Sequence, residues 1–147
     1  TDEVFGSLET SSRPVNENSP FMPNSPYSAS KASSDHLVRT FYKTYKIPSI
    51  TTHCSNNFGP YKHEEKFIPK IIKNALKCVK IPIYGEGKNI RDWIFVEDHC
   101  KALIKIIENG HVGETYNIGS GKEISNIHLA KLICRKLDVI FPNKNDS

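Results

Sequence analysis

Apolar and polar residues alternate with helical period along most of the chain. From Pro26, the segment Tyr27 to Lys46 places Ala29, Ala32, Leu37, Phe41 and Tyr45 at helical spacing. Pro26 suits a first turn, whose N–H groups are unpaired in any helix, and Pro48 ends the run. Ser49 to Cys54 is short and β-branched, which predicts a buried strand, and Asn56-Asn57-Phe58-Gly59-Pro60 carries turn chemistry. A second helix is predicted over about Lys66 to Val79. Ile68, Ile71, Ile72, Ala75 and Val79 form one stripe, and Lys66, Lys70, Lys73, Lys77 and Lys80 form the other. Ile81 to Tyr84 and Ile90 to Val96 read as two extended segments joined by a turn over Gly85 to Asn89. A third helix is predicted from near Glu97, with Glu97 and Asp98 at the positive end of its dipole and Ala102, Leu103, Ile106 and Ile107 on its buried face. Thr115 to Ile118 predicts a strand, and Ile127, Ala130, Ile133, Cys134 and Leu137 mark a last helix. Residues 7 to 26, rich in Ser, Pro and Asn, predict an irregular loop.

The chain has 147 residues, enough for one hydrophobic core, and no apolar run near the roughly 18 residues of a membrane helix. A net charge of +4 suits a small anion as well as a polymer. The lysine stripe lacks interleaved aromatics, so it reads as a solvated face and no nucleic acid is expected. Cys54, Cys78, Cys100 and Cys134 form no C-x-x-C pair and the six histidines no metal-binding spacing, which predicts reduced thiols, a cytoplasmic setting and no metal. No G-x-S-x-G elbow accompanies the serines around Tyr27, which argues against a serine hydrolase. Trp93 is expected in the core. The chain opens on Thr1 without an initiator methionine and is expected to be internal to a longer polypeptide.

Two constellations carry candidate chemistry. Tyr27 and Lys31, at i and i+4, share a helix face, where an ammonium near a phenol favours phenolate and makes the tyrosine a usable base. Spacing alone leaves open a chance pair on a surface helix. Thr1-Asp2-Glu3 sets a hydroxyl beside two carboxylates that could divide acid and base roles, or form an exposed acidic terminus. Arg91 beside Asp92 could be an anion ligand or a local ion pair.

In order, T-D-E-V-F-G, Y-S-A-S-K, C-S-N-N-F-G-P-Y, E-K-F-I-P, P-I-Y-G-x-G-x-x-I-R-D-W-I-F-V-E-D-H and G-E-T-Y-N-I-G closely resemble the dTDP-glucose 4,6-dehydratases, extended short-chain dehydrogenases/reductases, over Thr1 to about Pro142. Related epimerases usually carry Ser-Ser-Ala or Thr-Ser-Glu where this chain has Thr1-Asp2-Glu3. The resemblance implies an α/β fold: a partial Rossmann-type parallel sheet over 1–60 carrying the Tyr/Lys helix, then a nucleotide-sugar region over 61–147 with some segments returning to the sheet. It implies NAD as cofactor, dTDP-glucose as substrate and a homodimer paired through a four-helix interface. Tyr27, tuned by Lys31, would take the proton of the sugar 4-hydroxyl while Thr1 bonds that oxygen, Glu3 would remove the C5 proton, and Asp2 would protonate the departing 6-hydroxyl. Asn57, with Tyr27 and Lys31, would meet the cofactor. Asn56, Lys66, Phe67, Pro82, Ile83, Tyr84, Arg91 and Asn126 would hold the substrate, Lys and Arg by charge-assisted bonds to its diphosphate. The family's opening G-x-x-G-x-x-G turn, which cradles the NAD pyrophosphate, is absent from this sequence, so the chain by itself is expected to be inactive. The other readings are a UDP-sugar epimerase or decarboxylase and a non-catalytic remnant that binds nucleotide sugars.

Overall fold

A computed structural model describes residues 1–7 and 14–142. The predicted loop therefore lies partly outside the described residues, at 8–13. The order is a 3-10 turn (Asp2–Phe5), α1 (Pro26–Tyr45), β1 (Thr51–Cys54), β2 (Asn56–Phe58), α2 (Phe67–Leu76), β3 (Ile90–Phe95), α3 (Val96–Asn109), β4 (Thr115–Ile118), β5 (Glu123–Ser125) and α4 (Asn126–Ile140).

The long helix begins where its residues can satisfy a helix terminus. The Ser25 hydroxyl accepts from the Ser28 N–H and the Ser28 hydroxyl from the Ser25 N–H, both at 3.1 Å, with Pro26 in the first turn. Lys46 closes it in the left-handed region at φ 58°. α2 stops short of Val79 because its end is recaptured: the Val79 N–H donates to the Asn74 carbonyl at 3.0 Å, and the Asn74 amide to the Lys80 carbonyl at 2.9 Å.

The extended stretch from Thr51 to Phe58 changes neighbours at Ser55. β1 runs parallel to β4, with Thr51 opposite Thr115, while β2 runs parallel to β3, with Asn56 opposite Trp93. α2 lies within the crossover between β2 and β3, as a parallel connection requires. β5 adds to β3 in antiparallel register, with Arg91 opposite Ile124. The chain is thus α/β with parallel pairing, and β3 and β4, from beyond residue 60, pair with strands from before it.

Three expectations are corrected. Asn56–Phe58, read as turn, is a strand, because β3 supplies a ladder that no local pattern reveals. Residues 81–84 form no strand: Pro82 has no N–H to donate, and β3 pairs instead with β2 and β5. The face of α3 is not buried as expected, since none of its residues is fully buried and Ile107 is 79% exposed. The buried cluster is Val4, Phe5 and Ala32, with Val15 and Phe21 packed against it, and Ile71, Ile94, Ile118 and Ala130 are buried elsewhere. Trp93 is half-buried and stacks on Phe67 with ring centroids 6.0 Å apart.

Candidate active site

The 3-10 turn is held by its second half and displays its first. Val4 and Phe5 are buried, and the Met22 N–H donates to the Val4 carbonyl at 2.9 Å. Gly6 sits at φ 81°, where a Cβ would lie 2.2 Å from the Met22 carbonyl oxygen, so only glycine passes. Ahead of this anchor, the Thr1 hydroxyl accepts from the Glu3 N–H at 3.4 Å, leaving its own O–H to donate elsewhere. Asp2 is half-buried and Glu3 exposed. Burial pushes the Asp2 carboxyl above the ordinary aspartate range; its backbone N–H and Arg91 act in the opposite direction, and neighbouring Glu3 adds to the rise. Two adjacent carboxyls thus occupy unlike surroundings.

Tyr27 and Lys31 share one exposed face of α1, with Tyr27 58% exposed. Ala32, next to Lys31, is buried in the same cluster as Val4 and Phe5, so the helix that carries Tyr27 and the turn that carries Asp2 and Glu3 rest on one small core.

Asn56 and Asn57 lie half-buried on β2. The Asn57 amide donates to the Ser55 carbonyl at 3.4 Å and lies 3.6 Å from the Cys54 sulfur, and its buried carbonyl oxygen has no hydrogen-bond partner among the described residues. Lys66 is exposed at the N-cap of α2. Phe67, Pro82 and Tyr84 come together in a cleft of about 130 Å³ completed by Glu65, Lys70, Ile71 and Ile81. Ile83 departs from that group: side chains alternate along extended chain, and it faces a second cleft of about 330 Å³ with Ile127, Ala130 and Cys134. Asn126 opens α4, and its backbone N–H donates to the Asn89 carbonyl at 2.9 Å, which ties it to the 85–89 turn.

The Arg91–Asp92 ion pair does not form, because successive strand residues point to opposite faces. The exposed Arg91 guanidinium donates to the Ile90 carbonyl at 2.9 Å and exerts its charge on Asp2. Asp92 accepts from the Ser120 N–H at 2.7 Å, the Ser120 hydroxyl and the Lys122 N–H at 3.2 Å. Burial works against the Asp92 carboxylate, yet these bonds and the nearby Ser55 hydroxyl together hold it below the ordinary range.

One group escaped sequence reasoning, which found only that His53 and the other histidines lack metal-binding spacing. It is buried, and its Nε2 lies 3.1 Å from Asp35 Oδ2 and its Nδ1 3.3 Å from Asn117 Oδ1. The available signal was faint: Asp35 follows Lys31 by one helical turn. Among the described residues no three His, Cys, Asp or Glu side chains gather as a metal site, none of the cysteines is in a disulfide, and no helix is long and apolar enough to cross a membrane.

A parallel-paired α/β chain with a Tyr/Lys helix beside an acidic turn defines a class, and comparison with known proteins narrows it. The family model described as GDP-mannose 4,6 dehydratase matches residues 1–145, and the chain belongs to that family. Within it, the chain is 54% identical to dTDP-glucose 4,6-dehydratase of Neisseria meningitidis serogroup B, over 98% of this chain and 41% of that protein. The crystal structure of dTDP-glucose 4,6-dehydratase from Bacillus anthracis in complex with NAD superposes with a TM-score of 0.90 at 50% identity, over 93% of this chain and 44% of that one. The Streptomyces venezuelae dTDP-glucose 4,6-dehydratase, also solved with NAD bound, gives 0.88 at 43% identity, over 92% of this chain and 42% of that one. The chain therefore spans about two-fifths of the length of the curated relatives it matches.

Proposed function

We propose that this chain carries the acid–base and sugar-nucleotide-holding part of a dTDP-glucose 4,6-dehydratase, working as a homodimer in the cytoplasm. The observation that carries the reading is the Asp2–Glu3 pair, two adjacent carboxyls in unlike surroundings on a turn that shares its core with the Tyr27 helix. Removing water across C5 and C6 needs an acid and a base side by side, whereas an epimerase has no such need.

The residues present fit a nicotinamide cofactor. The buried, unpartnered Asn57 carbonyl oxygen wants a donor such as a carboxamide N–H, and Tyr27 and Lys31 stand exposed on one helix face. When bound, NAD would supply hydride uptake at C4 and its return at C6. Tyr27 accepts the proton of the sugar 4-hydroxyl, Lys31 stands one helical turn along the same exposed face, and the Thr1 hydroxyl donates to that sugar oxygen. A C4 ketone acidifies the C5 proton, which Glu3 removes and gives back to C5 once C6 is reduced, while Asp2, kept protonated to higher pH by burial, protonates the departing 6-hydroxyl. Phe67, Pro82 and Tyr84 give the base an apolar cleft, and Lys66 and Arg91 offer cations to the diphosphate. Ile83 faces the neighbouring cleft, and Asn126 is tied through its backbone to the 85–89 turn. The dimer reading draws on the exposed apolar side chains Leu37, Phe41 and Tyr45 of α1.

The complete gene product containing this chain, given NAD and dTDP-glucose, is expected to yield a sugar nucleotide lighter by one water in mass spectrometry. An epimer of unchanged mass, or turnover of a UDP-sugar alone, overturns the reading. The chain alone has no G-x-x-G-x-x-G turn for the pyrophosphate and is expected to give no product.

A further inference from the structure

We propose that His53 is a positioning residue that holds the Thr1–Asp2–Glu3 turn in register with the Tyr27–Lys31 helix. Its consequence for turnover rests on the acid–base reading above; its geometry does not. The ring is 3% exposed and meets four separate parts of the chain. Nε2 engages Asp35 of α1 at 3.1 Å, and Nδ1 engages Asn117 of β4 at 3.3 Å. Its edges meet Phe5 of the 3-10 turn at 5.3 Å and 87°, and Phe21 of the loop before α1 at 5.4 Å and 79°. With oxygens on both nitrogens and aromatic rings against it, the imidazole has one orientation.

The two constellations sit directly on these contacts. Phe5 follows Glu3 by two residues, and Asp35 follows Lys31 by one helical turn and Tyr27 by two. Twenty residues separate Phe5 from Pro26, too many for connectivity to set the spacing of acid, base and phenol. The Met22–Val4 backbone bond ties the turn to the segment just before α1, but not to the helix. Asn117 is fixed in turn, since its backbone N–H donates to Glu17 Oε1 at 2.8 Å. Ala32 packs the helix against Val4 and Phe5 through apolar contact, and His53 adds the directional contacts that tie turn, helix and sheet to one point; a misplacement near 1 Å at such a site costs up to about a hundredfold in rate.

The test compares His53→Phe, His53→Gln and Asp35→Asn in the complete gene product with NAD and dTDP-glucose, reading reduced cofactor formed against water lost. A fold that is merely less stable lowers both in proportion and leaves their ratio unchanged. A displaced Asp2–Glu3 turn slows water loss more than oxidation, so the ratio is expected to rise about tenfold or more in His53→Phe, less in Asp35→Asn, and to recover in His53→Gln, whose amide can still donate to Asp35. An unchanged ratio in Asp35→Asn and His53→Phe overturns the proposal, and Asp35→Asn decides alone where His53→Phe fails to fold. If the wild-type protein shows no turnover, the functional reading fails, and hydrogen exchange on the same proteins still tests the geometry. Faster exchange at the Gly6 and Met22 amides with β4 unchanged supports it; unchanged exchange overturns it.

Discussion

At the scale of single residues, chemistry depends on surroundings more than on identity. Asp2 and Glu3 are the same functional group one position apart, yet one is half-buried and the other exposed. On the proposed mechanism, Glu3→Gln leaves alcohol oxidation running and slows water loss by about 10²–10⁴-fold, read as reduced cofactor that builds up without product. Tyr27→Phe stops the sequence one step earlier, so neither reduced cofactor nor product appears. The pH dependence follows from burial. A raised value keeps Asp2 protonated, and so able to act as an acid, to higher pH than an exposed aspartate, and the elimination rate falls as pH rises through that value. Arg91 is one of the charges that pull the value down, so Arg91→Gln is expected to move this limb to higher pH in a profile measured at saturating substrate.

At the scale of elements, the links between strands set what reaches the site. Asp92 joins β3 to the 119–122 turn, accepting from two backbone N–H groups and a hydroxyl, and a Cβ at Gly119 would lie 2.4 Å from its oxygen. Asp92→Ala is expected to cost about 1 kcal/mol in chemical denaturation, because water can replace the lost acceptor at these exposed donors. Since its carboxylate is held below the ordinary value of 3.8, its contribution is present above that pH and fades as pH falls through the lower, folded value; Asp92→Asn is expected to lack this part of the acid sensitivity. The elements legible beforehand were those with local cause. α1 carries its own cap and stop, and β1 its own β-branched run. β2 and β5 were not legible, because each is three residues long and exists through its partner β3.

At the scale of the whole molecule, what is uncovered matters as much as what is packed. Ile71 is 1% exposed, and Ile71→Ala is expected to destabilise the chain by about 2–5 kcal/mol in thermal or denaturant unfolding. By contrast Leu37, Phe41 and Tyr45 on α1, at helical spacing, are 59%, 47% and 67% exposed. On the proposed homodimer this stripe is half of the interface, and Phe41→Glu is then expected to shift the complete gene product toward monomer in sedimentation velocity without changing its far-ultraviolet spectrum.

Amphipathic period, capping residues and the adjacency of Thr1, Asp2 and Glu3 are properties of neighbours in the chain, and the sequence by itself determined them. It also determined that Tyr27 and Lys31 would share a face, since helix geometry puts i and i+4 together. Only the tertiary structure decided that Ile83 turns away from Pro82 and Tyr84, that Asp92 bonds the 119–122 turn rather than Arg91, and that a buried His53 reaches Phe5, Asp35 and Asn117 at once. Those outcomes depend on which strand lies beside which, and strand pairing is fixed by contacts between residues far apart in the chain, where no local pattern can register them.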